Sequence, residues 1–354
     1  MLDRLRDRLV TQPGFRAWAA RFPLTRPIAR RRTRALFDLC AGFVYAQTLA
    51  ACVELDVFER LAAGPVPIVT LAGDVPLPAF RALVTAAVGL RLLVVQGDSA
   101  ALGPLGAAMV GNAGLVAMVR HHGLLYADLA DPVALLRGRT GALASYWAYA
   151  GADRPGALAD GPVAGYSALM AASQPLVAQE ILAAYPLGRH RHVLDVGGGE
   201  GAFLNAAARA APALHGTLFD LPAVVARARF DDQRLQAVGG DVFHDALPTG
   251  ADVATLVRVI HDHNDERAMD ILRAVARAVG PGGTVVVAEP MADTAGATSV
   301  GAYFSLYLLA MGSGRPRTRA TLTAMLEAAG FDQVRVWRTY TPLLVRVLSA
   351  KCKS

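Results

Sequence analysis

Val193-Leu-Asp-Val-Gly-Gly-Gly-Glu-Gly-Ala-Phe-Leu204 is the stretch that decides the fold, because an apolar run, a glycine-rich turn and an alanine-rich segment follow one another in it. This order predicts a buried strand, a tight loop and a helix of a nucleotide-binding unit. Gly197, Gly199 and Gly201 lack the Cβ atoms that would hold a ligand away from the turn, and glycine adopts positive φ freely. The helix that follows begins with backbone N–H groups that have no partner inside the helix. We therefore expect a ligand to lie against this loop.

Acidic residues surround this glycine loop. Asp220 lies 23 residues after Gly197, at the end of the apolar run Thr217–Phe219, where an acid is placed to bind a ribose. Asp195 and Glu200 put two further carboxylates around the loop. Because a pyrophosphate needs positive surroundings, these charges favour a ligand that carries an ammonium and a sulfonium group. S-adenosylmethionine is such a ligand.

Two other interpretations of the loop stay open. Gly197, Gly199 and Ala202 also satisfy the G-x-G-x-x-G/A dinucleotide fingerprint, which would indicate an NAD-dependent oxidoreductase. A glycine-rich turn without a ligand is the other possibility, but the acids downstream count against it. One of them lies in Gly239-Gly-Asp-Val-Phe243, where Asp241 follows another strand and is placed to meet an adenine edge. The dinucleotide fingerprint specifies no acid there, so S-adenosylmethionine is favoured.

Length and composition indicate a globular chain of two domains. The chain has 354 residues, of which 54% are hydrophobic. No apolar run reaches the ~18 residues of a membrane-spanning helix. The longest candidate, Cys40–Val53, contains Gln47 and predicts a buried helix. The three cysteines form no C-x-x-C pair, and no apolar signal segment opens the chain, so we expect a reducing compartment, the cytoplasm.

The positive charge is concentrated in residues 1–35, which we call the arm. It holds ten arginines against Asp3 and Asp7, a net charge of +8, so that the rest of the chain totals −2. Leucines alternate with arginines in Leu2–Leu9, which predicts a short basic amphipathic segment able to rest on an anionic membrane. A solvated arm, or one that braces a dimer, is the alternative. Nucleic acid is the less favoured partner.

The pattern of apolar residues changes along the chain. Residues 35–110 predict helices, a helix-turn-helix and a small wing, but the segment Leu77–Leu93 carries only Arg81 and Arg91 as cations, too few for a DNA-binding regulator. From Arg191 onward, short apolar runs alternate with helical segments, which predicts an α/β fold with a parallel sheet covered on both faces. The predicted strands are 193–196, 215–219, 235–238, 252–257 and 284–289, with helices from about 201, 222, 265 and 318. Val334–Trp337 and Leu343–Leu348 predict a closing hairpin.

A histidine follows the fourth of these strands, at the edge where open α/β sheets bind ligands. His261 is placed to accept a proton from an attacking hydroxyl, with Asp262 beside it, and Glu289 at the end of the fifth strand is placed to orient its ring. His263 is expected to be exposed or to cap the next helix, with Asp265 and Glu266 as the other capping candidates. A His261/His263 metal pair lacks a third ligand, so no metal is expected.

The chain resembles the metal-independent, dimeric small-molecule O-methyltransferases related to the caffeate and hydroxyindole enzymes. The matching segments are Leu194–Gly201, Phe219–Pro222, Gly239–Phe243, His261–Asp265 and Gly280–Gly283. The resemblance implies a class I methyltransferase fold with a Rossmann-like seven-stranded sheet, behind a mainly helical winged-helix-like dimerisation domain. The implied division is the arm, a dimerisation domain over 36–160 and a methyltransferase domain over 161–354. A homodimer is also implied.

The resemblance also implies roles for individual residues. His261 matches the general base, and Glu289 matches the acid that flanks it. The predicted S-adenosylmethionine contacts, of which Arg258 is a looser match, are Asp195, Gly197, Gly199, Asp220, Leu221, Asp241, Val242, Phe243 and Arg258. Two departures stand out: the family has Trp where this chain has His263, and the plant enzymes have a second flanking glutamate where this chain has Pro316.

The opening block Trp18–Tyr45 is similar to the carotenoid 1-hydroxyl O-methyltransferases of purple phototrophic bacteria, the hydroxyneurosporene and demethylspheroidene type. This resemblance implies that the acceptor is the tertiary hydroxyl of an acyclic carotenoid. Another apolar acceptor, a phenol or a bacteriochlorophyll precursor, is the alternative. The spacing of the following aromatic and thioether residues alone favours a core, but with the resemblance they predict an acceptor pocket suited to a polyene: Tyr166, Met170, Tyr303, Phe304, Tyr307 and Met311.

Overall fold

The computed structural model describes residues 8–146, 174–294, 296 and 298–354. The chain divides into two compact units, Met1–Asn112 and Ala113–Ser354. The domain boundary predicted at residue 160 lies outside the described residues, so the three-part division stays a prediction.

The first unit is mainly helical, with a small sheet. Strands β1 (Val66–Pro67), β2 (Leu93–Gln96) and β3 (Ser99–Leu102) form an antiparallel sheet in the order β1-β3-β2. The helices Ile68–Ala72 and Leu77–Gly89 and the strands β2 and β3 lie where the sequence predicts a helix-turn-helix and a small wing. The helices are Pro13–Arg21, Arg26–Glu54, Val57–Arg60, Ile68–Ala72, Leu77–Gly89 and Pro104–Ala107.

The helix Arg26–Glu54, called the long helix below, corrects one prediction. Within the single chain it buries only Thr48, Cys52 and Val53, so the expectation that Cys40–Val53 is buried is wrong for most of its length. Its large apolar side chains are exposed: Leu36 to 65%, Phe37 to 64%, Leu39 to 80% and Phe43 to 65%. An apolar pattern shows that a helix needs a partner surface, but it does not show that the same chain supplies one. By length and composition alone, the long helix could also cross a membrane.

The second unit is built on a seven-stranded sheet, which confirms the predicted α/β fold. Its strands are β4 (His192–Val196), β5 (His215–Asp220), β6 (Leu235–Gly239), β7 (Val253–Val257), β8 (Thr284–Glu289), β9 (Phe331–Trp337) and β10 (Arg346–Cys352). Their order is β6-β5-β4-β7-β8-β10-β9. The first five in this order are parallel, and β10 pairs antiparallel with both β8 and β9.

The closing hairpin forms, but its strands lie a few residues away from the predicted positions. β9 begins at Phe331 and β10 begins only at Arg346, because Leu344 and Val345 turn back onto the carbonyl of Thr341. Val345 is fully buried all the same. Its side chain packs in the core although the residue lies in a turn before β10. A prediction based on hydrophobicity therefore began this strand too early.

Helices cover both faces of the sheet, as a parallel sheet requires. One apolar core contains Ile271 and Leu326, and the other contains Phe203 and Ile181. The helices of this unit are Ala113–Leu129, Pro132–Leu136, Ala142–Tyr146, 174–184, Ala202–Ala210, Pro222–Val225, Asp265–Val279, Thr298–Met311 and Arg319–Ala328, with 3₁₀ turns at Leu187–Arg189 and Ile260–Asp262. The loops after β4 to β8 all open at the carboxyl edge of the parallel strands, which is where such sheets bind ligands.

Candidate active site

A cavity opens at the carboxyl edge of the parallel strands. Eight of the nine residues that the sequence predicts as cofactor contacts line it: Gly197, Gly199, Asp220, Leu221, Asp241, Val242, Phe243 and Arg258. Asp262 and His263 also line it. The fold thus brings together residues that are up to 66 positions apart in the chain.

The glycine loop after β4 has the tight geometry that its sequence predicts. Gly197 and Gly199 have φ values of +69° and +63°, in the region that favours glycine. A Cβ on Gly198 would lie 2.2 Å from a carboxylate oxygen of Asp195, so this position also excludes a side chain. Nothing lies within 4 Å of where a Cβ of Gly199 would be, so the backbone there is open to a ligand.

Asp220, at the end of β5, braces this loop from the neighbouring strand. One of its carboxylate oxygens accepts a hydrogen bond from the Gly199 N–H, and the other accepts one from the Leu221 N–H, both at 2.7 Å. Burial raises the pKa of Asp220 to about 6, although these two N–H groups oppose the rise. Each carboxylate oxygen keeps a lone pair for a ligand hydroxyl.

Asp195 lies beneath the loop and does not line the cavity. Its side chain is fully buried, and one oxygen accepts a 2.6 Å hydrogen bond from the Thr255 hydroxyl. Burial raises its pKa to about 7. Glu200 lines the cavity but pairs with the Arg227 guanidinium at 2.9 Å. The two carboxylates therefore contribute less open negative charge around the loop than the sequence suggested.

The segment after β6 forms another part of the wall. One carboxylate oxygen of Asp241 accepts a hydrogen bond from the Phe243 N–H at 3.0 Å, and the other lies 2.9 Å from Nδ1 of His244. The Phe243 ring faces His263 edge-on, with 5.4 Å between the ring centroids.

Arg258 closes the cavity from the end of β7. It has a left-handed backbone with φ of +57°, which is uncommon for a residue with a side chain. Its N–H donates to the carbonyl of Ala288, and its guanidinium binds the side-chain oxygen of Gln174. The chain turns sharply here, and His261 follows three residues later.

Glu289 and His261 form a buried pair beside the cavity. Nδ1 of His261 contacts one carboxylate oxygen of Glu289. The other oxygen accepts hydrogen bonds from the N–H groups of Val259 and Ile260, at 3.0 and 2.7 Å. Glu289 therefore holds both the loop and the ring. Because the carboxylate fixes the proton on Nδ1, it leaves Nε2 as the basic nitrogen.

Asp262 lies on the other side of the same imidazole, with its carboxylate 3.1 Å from Nε2 of His261. Burial lowers the pKa of His261, but the carboxylates of Asp262 and Glu289 outweigh burial and raise it to about 9. The sequence lacks the second flanking glutamate of the plant enzymes at Pro316. The structure nevertheless surrounds the imidazole with two carboxylates, because Asp262 contributes the second one.

His263 and the residues after it differ from expectation. His263 is neither exposed nor a cap, since it lines the cavity. Asn264 caps the helix Asp265–Val279 by accepting a hydrogen bond from the Arg267 N–H. Asp265 instead binds the guanidinium groups of Arg315 and Arg317. An Asn directly before two acids was the capping signal that the sequence contained.

The helix Thr298–Met311 places an aromatic ring beside the His261–Glu289 pair. Phe304 faces the His261 ring edge-on, with a centroid distance of 5.9 Å. Tyr303 and Tyr307 stack at 5.5 Å, and Met311 is buried. We call Tyr303, Phe304 and Tyr307 the aromatic wall. Of the predicted acceptor residues, Tyr166 and Met170 lie outside the described residues.

Two histidines of the helix Ala113–Leu129 hold this aromatic wall. Nε2 of His121 lies 2.8 Å from the Tyr307 hydroxyl, and Nε2 of His122 lies 2.9 Å from the Tyr303 hydroxyl. Burial lowers the pKa of both histidines, that of His121 to about 4, so the rings are neutral at physiological pH. Within the part of the chain that the structure describes, no cluster of three or more metal-ligating side chains occurs.

Four features define a class I S-adenosylmethionine-dependent methyltransferase. They are the sheet order, the glycine loop after the first parallel strand, the acid at the end of the second, and the histidine–carboxylate pair beside the cavity. Residues 126–332 match the sequence profile of the O-methyltransferase domain. The chain belongs to this O-methyltransferase family. Membership decides against the NAD-dependent oxidoreductase and the DNA-binding regulator.

Similar proteins are found among both sequences and structures. The chain is 42% identical to the demethylspheroidene O-methyltransferase of Rhodobacter capsulatus, over 94% of this chain and 85% of that protein. It is 40% identical to the protein of the same name from Cereibacter sphaeroides, over 99% and 95%. The crystal structure of human N-acetylserotonin methyltransferase in complex with S-adenosylmethionine superposes with a TM-score of 0.76 at 24% identity, covering 91% of this chain and 98% of that one.

Proposed function

We propose that this enzyme methylates the tertiary 1-hydroxyl of an acyclic hydroxycarotenoid, with S-adenosylmethionine as the methyl donor. The similarity to the two bacterial relatives, at 40% identity or more over nearly the whole chain, is the observation that carries the substrate. The uncharged aromatic wall beside His261 supports it, since a polyene needs an apolar surface near the base.

The residues of the cavity fit the cofactor. The open backbone at Gly199 allows close approach of a ligand, and in this proposal Asp220 accepts hydrogen bonds from the ribose hydroxyls while Asp241, Val242 and Phe243 contact the adenine. Asp195 acts from below by fixing the loop. When bound, S-adenosylmethionine supplies an electrophilic methyl group on a positively charged sulfur.

His261 accepts the proton of the acceptor hydroxyl at Nε2. Glu289 keeps Nδ1 protonated and stabilises the imidazolium that forms. Asp262 faces Nε2 in the unliganded protein, so the acceptor hydroxyl has to replace this contact. Asp262 then lies next to both the charged ring and the hydroxyl, where it stabilises the positive charge.

The difference in pKa between the acceptor hydroxyl and His261 decides when the proton moves. An aliphatic alcohol, with a pKa near water's ~15.7, lies roughly 7 units above an imidazole of pKa about 9, which corresponds to about 9 kcal/mol. Because this cost would add to the barrier, formation of a free alkoxide before methyl transfer is disfavoured. Proton transfer to His261 accompanies formation of the C–O bond, and correct positioning supplies most of the acceleration.

Mass spectrometry after incubation with S-adenosylmethionine tests the function. We expect a hydroxylated acyclic carotenoid to gain one methyl group, and a matched carotenoid without the hydroxyl to gain none. Phenols and bacteriochlorophyll precursors, offered in the same assay, are the competing acceptors. Preferred methylation of either one would replace the proposed substrate while keeping the enzyme class.

We also propose a homodimer that buries the apolar side chains of the long helix against a second copy. The exposure of four large apolar residues on one helix supports this, because a monomer seldom exposes so large an apolar patch.

The arm, with ten arginines, is proposed to rest on the anionic surface of the inner membrane from the cytoplasmic side. Flotation with vesicles that contain phosphatidylglycerol tests this contact. We expect binding that weakens with added salt and that is lost with purely zwitterionic vesicles. Salt-independent binding, or none, would contradict it.

A further inference from the structure

The side chain of His263 forms a part of the cavity wall that the mechanism above does not use. Its ring lines the cavity, and Nδ1 is buried without a hydrogen-bond partner among the residues that the structure describes. Buried polar atoms in folded proteins are nearly always hydrogen-bonded. A ligand in the cavity can supply the partner that the described residues do not provide.

The position of His263 indicates which part of the ligand it meets. The ring lies against Phe243, whose other neighbour is the guanidinium of Arg267, 4.6 Å from the ring centroid. Phe243 and Asp241 belong to the segment after β6, where the proposed function places the adenine. His263 therefore lies at the adenine end of the cavity.

The backbone holds His263 in place without any ligand. Arg317, which is buried, donates one hydrogen bond to the carbonyl of His263 at 2.8 Å and another to the carbonyl of Ile260 at 2.6 Å. Asp265 holds the same guanidinium at 2.8 Å. The histidine is thus presented to the cavity from a fixed loop, which is the arrangement that favours specific binding.

The ring is neutral when it meets the ligand. Burial lowers the pKa of His263 to about 3, and the positive charge of Arg267 acts in the same direction. A neutral imidazole carries one N–H and one basic nitrogen, so Nδ1 serves as acceptor or donor according to the tautomer. Adenine offers a match for either, with its exocyclic amine as donor and N7 as acceptor.

We propose that Nδ1 of His263 forms a hydrogen bond with the edge of the adenine base and so makes His263 a specificity-determining residue for the cofactor. The inference rests on the proposed binding of S-adenosylmethionine. It goes beyond that proposal in naming the contact that this chain makes where related enzymes have Trp.

Calorimetry with S-adenosylhomocysteine and two analogues tests the contact. One analogue lacks the exocyclic amine, and the other has carbon in place of N7. The proteins are the full-length wild type, His263→Phe, which keeps an aromatic ring without a polar atom, and His263→Asn, which keeps a polar atom near the position of Nδ1. His215→Phe, at the exposed start of β5, is the matched control.

We expect His263→Phe to weaken S-adenosylhomocysteine about tenfold, the effect of one lost buried hydrogen bond, and His263→Asn to recover most of the loss. In the wild type, one analogue should bind about tenfold more weakly than the parent compound, and this difference should vanish in His263→Phe. His215→Phe should match the wild type throughout.

If the analogues bind with the same relative affinities in wild type and His263→Phe, Nδ1 contacts something other than the base, such as a water molecule, and the inference is wrong. That result leaves the proposed function intact. A wild-type protein that binds none of the three compounds overturns the proposed function itself, together with this inference.

Discussion

At the scale of single residues, the site is organised by carboxylates that hold other groups in place. Glu289 fixes both the imidazole of His261 and the two N–H groups before it, and Asp220 fixes the glycine loop. Asp220 is the last residue of β5, and Glu289 is the last residue of β8. The fold therefore orients these two carboxylates, because it directs the ends of β5 and β8 toward the groups that they hold.

Asp262 sets the pH at which His261 becomes basic. Its negative charge raises the pKa of the imidazole, so replacing Asp262 by Asn lowers that pKa. A base acts only when deprotonated, so activity rises with pH through this pKa. We expect Asp262→Asn to move the acidic limb of kcat/KM to lower pH by about one unit or more.

The control for this pH profile is Asp270→Asn, which removes a mostly exposed carboxylate from the helix Asp265–Val279. Its profile should match that of the wild type. An unchanged acidic limb in Asp262→Asn would show that Asp262 does not act on the imidazole in the functioning enzyme.

The sequence predicts site residues correctly where they follow successive parallel strands, because those strands end at the same edge of the sheet. The spacing of Gly197, Asp220 and Asp241 after successive strands indicated one cavity, and all three line it. The prediction fails for Asp195. The sequence shows that this acid lies at the end of an apolar run, but it does not show whether the side chain points into the cavity or into the core beneath the loop. The partners of His121 and His122 lie more than 180 residues away, and no local signal joins them.

At the scale of elements, the helix Thr298–Met311 connects the His261–Glu289 pair to the helix Ala113–Leu129. Phe304 meets His261, while Tyr303 and Tyr307 bond the two histidines of the other helix. The spacing of these aromatic residues left core and pocket as alternatives. In the structure, Tyr307 and Met311 of this helix pack in the apolar core, and Phe304 faces His261.

The bond between His122 and Tyr303 should contribute measurably to stability. Tyr303→Phe removes the hydroxyl and leaves His122 without this hydrogen bond in a partly buried place. We expect the free energy of unfolding in urea to fall by about 1–3 kcal/mol. Tyr340→Phe, at a ring that is 86% exposed, should change it by less than about 0.5 kcal/mol. Equal effects in the two variants would show that the bond contributes nothing.

Strand prediction was most accurate for the five parallel strands. β4, β5, β7 and β8 lie within one residue of their predicted bounds, because their buried apolar runs end where the chain leaves the sheet, and β6, a mostly exposed edge strand, lies equally close to its predicted bounds. The hairpin was placed less well, since Leu344 and Val345 are apolar without belonging to a strand. The long helix was predicted as a helix, but its burial was not, because burial depends on surfaces outside the element.

At the scale of the whole molecule, the exposed face of the long helix is the feature that the single chain does not explain. If a second copy covers it, a charge placed there must stop association. We expect Leu39→Glu to raise the dimer dissociation constant at least about 100-fold, through lost apolar burial and the cost of a buried carboxylate.

Sedimentation equilibrium measures this change. The matched control is Val69→Glu, which replaces another exposed apolar residue of the same unit, 64% exposed on the helix Ile68–Ala72. It should leave the dimer intact. A wild-type monomer, or a Leu39→Glu protein that still forms a dimer, would show that the long helix is not the interface.

We expect methyl transfer in this enzyme to depend on His261 as the group that takes the proton. The most direct measurement is the turnover of a hydroxylated acyclic carotenoid with saturating S-adenosylmethionine, for the wild type and for His261→Ala. We predict that the variant binds the cofactor normally and forms methylated product at least about 100-fold more slowly. Turnover near the wild-type rate in a folded His261→Ala protein would contradict the account.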